Sequence, residues 1–279
     1  MSGTRWRLAR GPLVFGQMHE DSSLELGHLR GRILSVASAG DTALALSAVP
    51  GNDVTAVDLN AAQIRYVWDR LAGGGRRAGL ADRAMAVGRA LSGWRPGAAR
   101  RFLDLDDPSV QAAAWHAAWD TPRFAAFLAV AFAPFGGRLG LPRRFDLAVR
   151  GRLADGFARH PNASNPQARL LLLGVDRRAA AGGARPLDLH VADVATFLER
   201  GPASSWDGFA LSNVADAAGP AYARRLVAAV TRAAAPGATV VLRSFAEPRT
   251  DAEAEWARRD RTHIWGRVLV GPAEALADW

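Results

Sequence analysis

Short apolar runs alternate with amphipathic stretches at both ends of the chain, while the middle is amphipathic throughout. RILSVAS, 32–38, is short, apolar and rich in β-branched residues, the pattern of a buried strand. AGD follows, and Asp41 stands where it can cap a helix over TALALSAV. PGND, 50–53, predicts a turn and VTAVD, 54–58, a second strand. Asn60 stands as the cap of the next helix, with Gln63 three places on as in a capping box. Along that helix Ile64, Val67, Trp68 and Leu71 fall at i, i+3, i+4 and i+7 and predict one apolar face. GGG, 73–75, ends it.

Residues 76–165 break this alternation. They hold Trp94, Trp115 and Trp119, several Pro and Gly, and amphipathic stretches at 109–119 and 123–133. They predict a helical insertion, placed to act as an acceptor-binding lid. NPQARLLLLG, 165–174, predicts a short helix ended by Gly174. The alternation then resumes: a strand over LDLHVAD (187–193), a helix over VATFLERG and a strand over WDGFALSNV (206–214). A long helix over 221–237, stopped by Pro236-Gly237, leads to a strand over ATVVLRSF, 238–245. The expected fold is α/β, a doubly wound Rossmann-like sheet interrupted by the insertion. The expected organisation is 1–75 as the N-terminal segment and first half of that domain, 76–165 as the insertion, and 166–279 as its second half.

The chain has 279 residues, 49% of them hydrophobic, enough for one substantial core with an insertion. It has no Cys, so thiol chemistry and Cys-ligated metals are excluded. All 35 basic residues are Arg, so a catalytic Lys is excluded too. The net charge of +8 is spread along the chain rather than gathered in a stripe, which argues against nucleic acid. It leaves room for peripheral contact with anionic lipid headgroups. The basic start, 1–17, lacks the apolar stretch of a secretory signal, so the expected location is cytoplasmic. The most apolar run, 124–137, is broken by Pro134 and falls short of the ~20 residues a spanning helix needs. It reads as a core helix or, alternatively, as one lying on a lipid surface. The six His show no ligand-like spacing, so no metal is expected.

The loop after the first strand, ASAGDT, has a single Gly, Gly40, and not the G-x-G-x-x-G of dinucleotide sites; nor is there a G-K-[ST] of a P-loop. A pyrophosphate needs the close approach that several glycines give; a nucleoside without phosphates needs less. Asp58, about 20 residues on at the end of the second strand, stands where an acid takes ribose hydroxyls. Asp193, ending the third strand, suits the adenine amine. The order strand–Gly–helix–strand–Asp, with Asp193, points to S-adenosylmethionine (SAM), so the doubly wound sheet is expected to be a SAM-binding one. The expected binding residues are Gln17, Ser38, Ala39, Gly40, Asp41, Asp58, Leu59, Gln63, Asp193, Val194, Ser212, Asn213 and Arg243.

VFGQMHED, ILSVASAGDTALAL, VTAVDLNAAQ, NPQARLLLLG, HVADVATFL, LSNVAD, VVLRS and DRTHIWGRVLV occur in this order between about residues 14 and 270. Together they resemble the SAM:diacylglycerol 3-amino-3-carboxypropyltransferases of betaine-lipid synthesis. The resemblance implies attack on the methionine-side γ-carbon of SAM, transfer of the 3-amino-3-carboxypropyl group to a hydroxyl oxygen, and release of methylthioadenosine. Such a transfer needs the amino-acid end of SAM clamped and a proton acceptor for the hydroxyl. Glu20, Asp21 and Gln17 suit the ammonium, and Arg243 the carboxylate. His19, Glu20, Asp21 and His263 are candidate bases. Glu20 and Asp21 are adjacent and would not point the same way; they can also be read as capping the helix over SSLELGHL.

The chain departs from that family's pattern on one side. His19 stands for Trp, Thr42 for Asn, Ala61 for Pro, Asp69-Arg70 for Leu-Lys, and Trp265 for Tyr. The acceptor is therefore left open between a diacylglycerol-type lipid and a small phenol or alcohol of natural-product biosynthesis. A methyltransferase on the same fold, releasing S-adenosylhomocysteine, and a non-catalytic SAM-binding protein are the alternatives.

Overall fold

The computed structural model describes residues 11–133, 141–174, 185–216 and 218–279. The basic start up to residue 10 and the end of the 124–137 run, with Pro134, lie outside the described residues. Six strands form one sheet: β1 (Arg32–Val36), β2 (Asp53–Asp58), β3 (Asp188–Val191), β4 (Trp206–Ala210), β5 (Ala234–Ser244) and β6 (Arg267–Pro272). Their order is β3-β2-β1-β4-β5-β6. All pairs are parallel except β5 with the edge strand β6. The helices are α1 (Ser23–His28), α2 (Asp41–Ser47), α3 (Ala61–Leu71), α4 (Leu80–Leu91), α5 (Pro96–Leu103), α6 (Pro108–Ala114), α7 (Pro122–Phe132), α8 (Phe145–Phe157), α9 (Pro166–Leu173), α10 (Val194–Arg200), α11 (Pro220–Ala233) and α12 (Asp251–Arg259). A π-helical turn, Trp115–Trp119, continues α6.

Strand residues alternate between two cores, which is why the apolar runs are continuous rather than alternating with polar residues. Ile33, Val54, Ala56 and Val241 face α1, α2 and α3. Leu34, Val57, Val240 and Leu242 face α10 and α11. A third core gathers residues of α5 to α9 around Trp115, Phe102 and Phe157. Helix α9 shares this core through Ala168 and Leu172, so the helical unit reaches into residues 166–173. Gly174 closes α9 in the left-handed conformation at φ 68°.

Three local expectations change. Asp41 does not cap α2: Gly40 is the N-cap, and Asp41 is the first helical residue, its carboxylate spent elsewhere. The buried face of α3 is Gln63, Tyr66 and Val67, while Trp68 is 61% exposed. The face turns because α3 packs against the segment 14–20, to which Gln63 and Tyr66 bond, as well as against the sheet. Pro236-Gly237 do not stop α11, which ends at Ala233; they lie inside β5. The β4–β5 register shifts there between Trp206 and Gly208, and an irregularity accommodates a Pro that has no N–H to donate.

Candidate functional site

The strand order reverses between β1 and β4, and in parallel sheets ligands settle in the crevice beyond the carboxyl ends at such a point. Ser38 follows β1 and Ser212 follows β4. Both hold left-handed backbone, at φ 44° and 53°. Among the described residues only Ser204 and His263 do so besides these without being Gly. Such conformations cost about 1–3 kcal/mol each and gather at functional sites.

The polar strap, 14–20, runs across these strand ends. Gln63 anchors its start: Oε1 accepts from the Val14 and Phe15 N–H groups at 2.8 and 3.1 Å, and Nε2 donates to Phe15 O at 3.0 Å. The same Nε2 donates to Ser38 O at 2.6 Å. Gln63 is therefore occupied as a staple between strap and loop and makes no capping box; Asn60 alone caps α3 through the Ala62 N–H. Asp41 holds the middle of the strap, accepting from Met18 N at 2.7 Å and pairing with Arg70 and Arg76 at 2.9 and 2.8 Å. Glu20 closes the far end, where its carboxylate receives the Ser212 hydroxyl and its carbonyl accepts from Gln167 Nε2 of α9 at 2.7 Å.

Asp58 sits at the end of β2 with one backbone N–H on each carboxylate oxygen, Ser38 N at 3.0 Å and Asn60 N at 2.8 Å. Each oxygen keeps a lone pair for a further donor, which suits two vicinal hydroxyls. Burial pushes its carboxyl up to about 6, against the pull of those two N–H groups. Gly40, at φ 86°, lets the loop close on α3: a Cβ there would lie 2.8 Å from Val67. Ala39 is buried beside it, its carbonyl held by Arg70 at 2.5 Å, and Leu59 is half-buried after Asp58.

Of the two candidate carboxyls, Glu20 is the one that its surroundings bring to neutral pH. Burial raises it first; Arg243 pulls it back, while Glu25 and Asp260 push it up again. The carboxyl stands at about 7. Arg243 does not offset the burial, because the one cation is divided unequally. Arg243 is fully buried and its guanidinium is taken by both oxygens of Glu25, by Asp260 at 2.8 Å and by Asp21 O at 3.0 Å. Glu20 keeps only a 3.7 Å approach to it.

That same network corrects the expected role of Arg243: enclosed on all sides by carboxylates, it does not reach a ligand carboxylate. Asp21 is likewise committed. Arg261 holds it bidentately at 2.6 and 2.8 Å, which keeps its carboxyl low despite burial. Nor does Glu20-Asp21 cap α1 as a pair: the N-cap is Ser22, and Asp21 accepts from Ser23 N at 3.2 Å. His263 is no base near neutral pH. Burial, with His160 stacked on it at 5.3 Å, pushes it down to about 3. Asn165 Nδ2 meets its Nε2 at 3.2 Å, and it lines a separate cleft with Arg152 and Arg159. Asp193 caps α10, accepting from Thr196 N and Oγ1 at 3.0 Å, with Val194 buried behind it. Asn213 turns toward Asp216, at 3.5 Å.

Gln17 and His19 point the other way from Met18 and Glu20, as alternation along an extended segment requires. They line a polar cleft of about 220 Å³ with Asp82, Arg83 and Arg89 of α4. His19 Nε2 lies 3.9 Å from Asp82 Oδ1, while Asp82 Oδ2 accepts from Gly16 N and Gly79 N at 2.6 and 2.7 Å. Next to this cleft, walled by α4, α7 and α8, is a cavity of about 480 Å³ with an almost wholly apolar lining. Sequence reasoning missed Glu25, Asp82, Arg89, Gln167 and Asp260. Glu25, Asp82, Arg89 and Gln167 sit on helices and Asp260 directly follows one, positions where solvated polar residues are equally common.

Among the described residues no helix is long and apolar enough to cross a membrane. No group of His, Asp and Glu among them is gathered to hold a metal ion. No family model, no curated protein and no solved structure matches the chain.

Proposed function

We propose that the chain is a SAM-dependent 3-amino-3-carboxypropyl transferase that acts on a hydroxyl oxygen. The observation that carries the reading is the convergence of a strained Ser38 loop, Asp58 and the Glu20–Ser212 pair on the crevice at the strand-order reversal. The sheet then serves as a Rossmann-like SAM-binding domain. Asp58 takes the ribose hydroxyls of SAM, and the Ser38–Gly40 loop passes along the nucleoside.

The acceptor oxygen attacks the γ-carbon of SAM. The new C–O bond forms as the γ-carbon–sulfur bond breaks, and the sulfur electron pair leaves with methylthioadenosine. The hydroxyl proton passes to Glu20, whose carboxylate is the acceptor above about pH 7. The Ser212 hydroxyl orients that carboxylate. The methyl carbon is less hindered than the γ-carbon, so the choice between them is made by where the acceptor is held.

Glu20→Gln tests this. It keeps the size and accepts a hydrogen bond but no proton. The reading expects methylthioadenosine release to fall ~10²-fold or more while SAM still binds. Unchanged release in Glu20→Gln would remove Glu20 from the chemistry.

A further inference from the structure

Arg89 of α4 stands at the seam between the two empty spaces. It lines both the apolar cavity of about 480 Å³ and the polar cleft of about 220 Å³. In the cavity it is the one charged side chain among the described lining residues. Its bonding is poor for a half-buried guanidinium: Nη1 approaches Leu171 O at 3.5 Å. Among the described residues the acid that acts on it is Asp82, whose Oδ2 accepts from two backbone N–H groups. Burial pulls the Arg89 guanidinium below its usual range, and Asp82 offsets only part of that. A half-buried charge so weakly bonded among the described residues is costly, and a planar guanidinium is suited to a bidentate oxyanion. His19 and Arg83 line the cleft as well.

We propose that these two spaces form one binding site for a single-chain amphiphile with an anionic head, its chain in the apolar cavity and its carboxylate or phosphate on Arg89. The cavity lies in the lower half of the ~300–1,000 Å³ range of ligand pockets, which suits one chain and not two. The acceptor hydroxyl then belongs close to the anionic end. Helix α9 links the cleft to Glu20: it supplies Leu170 of the cleft and the Gln167 amide that donates to the Glu20 carbonyl. As an acceptor site this rests on the transferase reading; as a binding site it does not.

The test is calorimetric titration of the full chain, without SAM, using dodecanoate, dodecan-1-ol and dodecyltrimethylammonium below their micelle concentrations. The expected result is dodecanoate binding at least tenfold tighter than either other probe. In Arg89→Met that preference collapses to near parity while dodecan-1-ol binding is kept. In Arg89→Lys the preference is partly retained. Equal affinity for the three probes, absence of dodecanoate binding, or a preference that survives Arg89→Met would overturn the proposal. Retained dodecan-1-ol binding shows that the variant is folded. A second arm adds SAM and 3-hydroxydodecanoate. Methylthioadenosine release supports the acceptor role. Tight binding without release leaves the amphiphile site standing and counts against the transferase reading.

Discussion

Glu20 is a carboxyl whose reactivity and cost to the fold have one origin, burial beside a cation already claimed by Glu25 and Asp260. Its carboxyl titrates at about 7 in the folded chain against 4.5 ordinarily. Between those values the folded chain keeps a proton that the unfolded chain has released. Stability contributed by this group is therefore lost as pH rises through that window, by ~3 kcal/mol in total. Glu20→Gln is expected to flatten the dependence of Tm on pH from about 5 to 8, and to raise Tm at the upper end. Thermal unfolding across that range checks it; a variant as pH-dependent as the parent would mean that Glu20 is charged throughout. Under the proposed transferase chemistry, turnover is expected to have the opposite sign and to rise with pH toward a plateau above about 7, since the base form would be the active one. Asp58→Asn leaves one carboxylate oxygen's acceptor capacity replaced by a donor, and is expected to weaken SAM binding ~10-fold or more by calorimetry. Unaltered affinity would take the ribose away from Asp58.

The elements divide into those that sit in a ligand crevice and those that hold it in place. Arg243 ends β5 inside the acidic cluster, so Arg243→Met leaves Glu25 and Asp260 buried without a counter-charge. That costs about 3–5 kcal/mol and is read as a fall in denaturant midpoint. A variant that folds as well as the parent but loses SAM affinity would restore the ligand role expected from sequence. Gln63→Ala removes four bonds between α3, the strap and the Ser38 loop. Hydrogen exchange at Val14 and Phe15 is expected to accelerate ahead of the sheet amides; unchanged protection would mean that the strap is held by other contacts. Strand and helix positions were legible because apolar runs and caps are local signals: Asn60 caps α3 and Gly174 closes α9 as read. Partners distant in sequence were not legible. Nothing near Arg243 announces Glu25, Asp21 and Asp260, which the fold brings to it from two other segments. Pro236-Gly237 misled for a related reason, since a helix stop and a strand irregularity use the same residues.

Across the whole molecule, two cores share the sheet and a third belongs to the helical unit, which also walls the apolar cavity. Trp115 is fully buried among Phe102, Phe124 and Phe157 in that third core, and Trp115→Ala is expected to cost about 3–5 kcal/mol there. The α/β architecture followed from the alternation of runs. The apolar cavity did not, because the residues that wall it come from α4, α7 and α8, with Leu171 of α9 and residues outside the helices such as Phe245 and Ile264, and no periodicity links them. The central claim concerns which carbon of SAM is attacked, and the direct measurement is mass spectrometry of the nucleosides released when the purified chain is incubated with SAM and either a lipid extract or a small-molecule extract. Methylthioadenosine above the enzyme-free background is the predicted result, and the extract that supports it identifies the acceptor class. Release of S-adenosylhomocysteine instead would contradict the account and make the chain a methyltransferase.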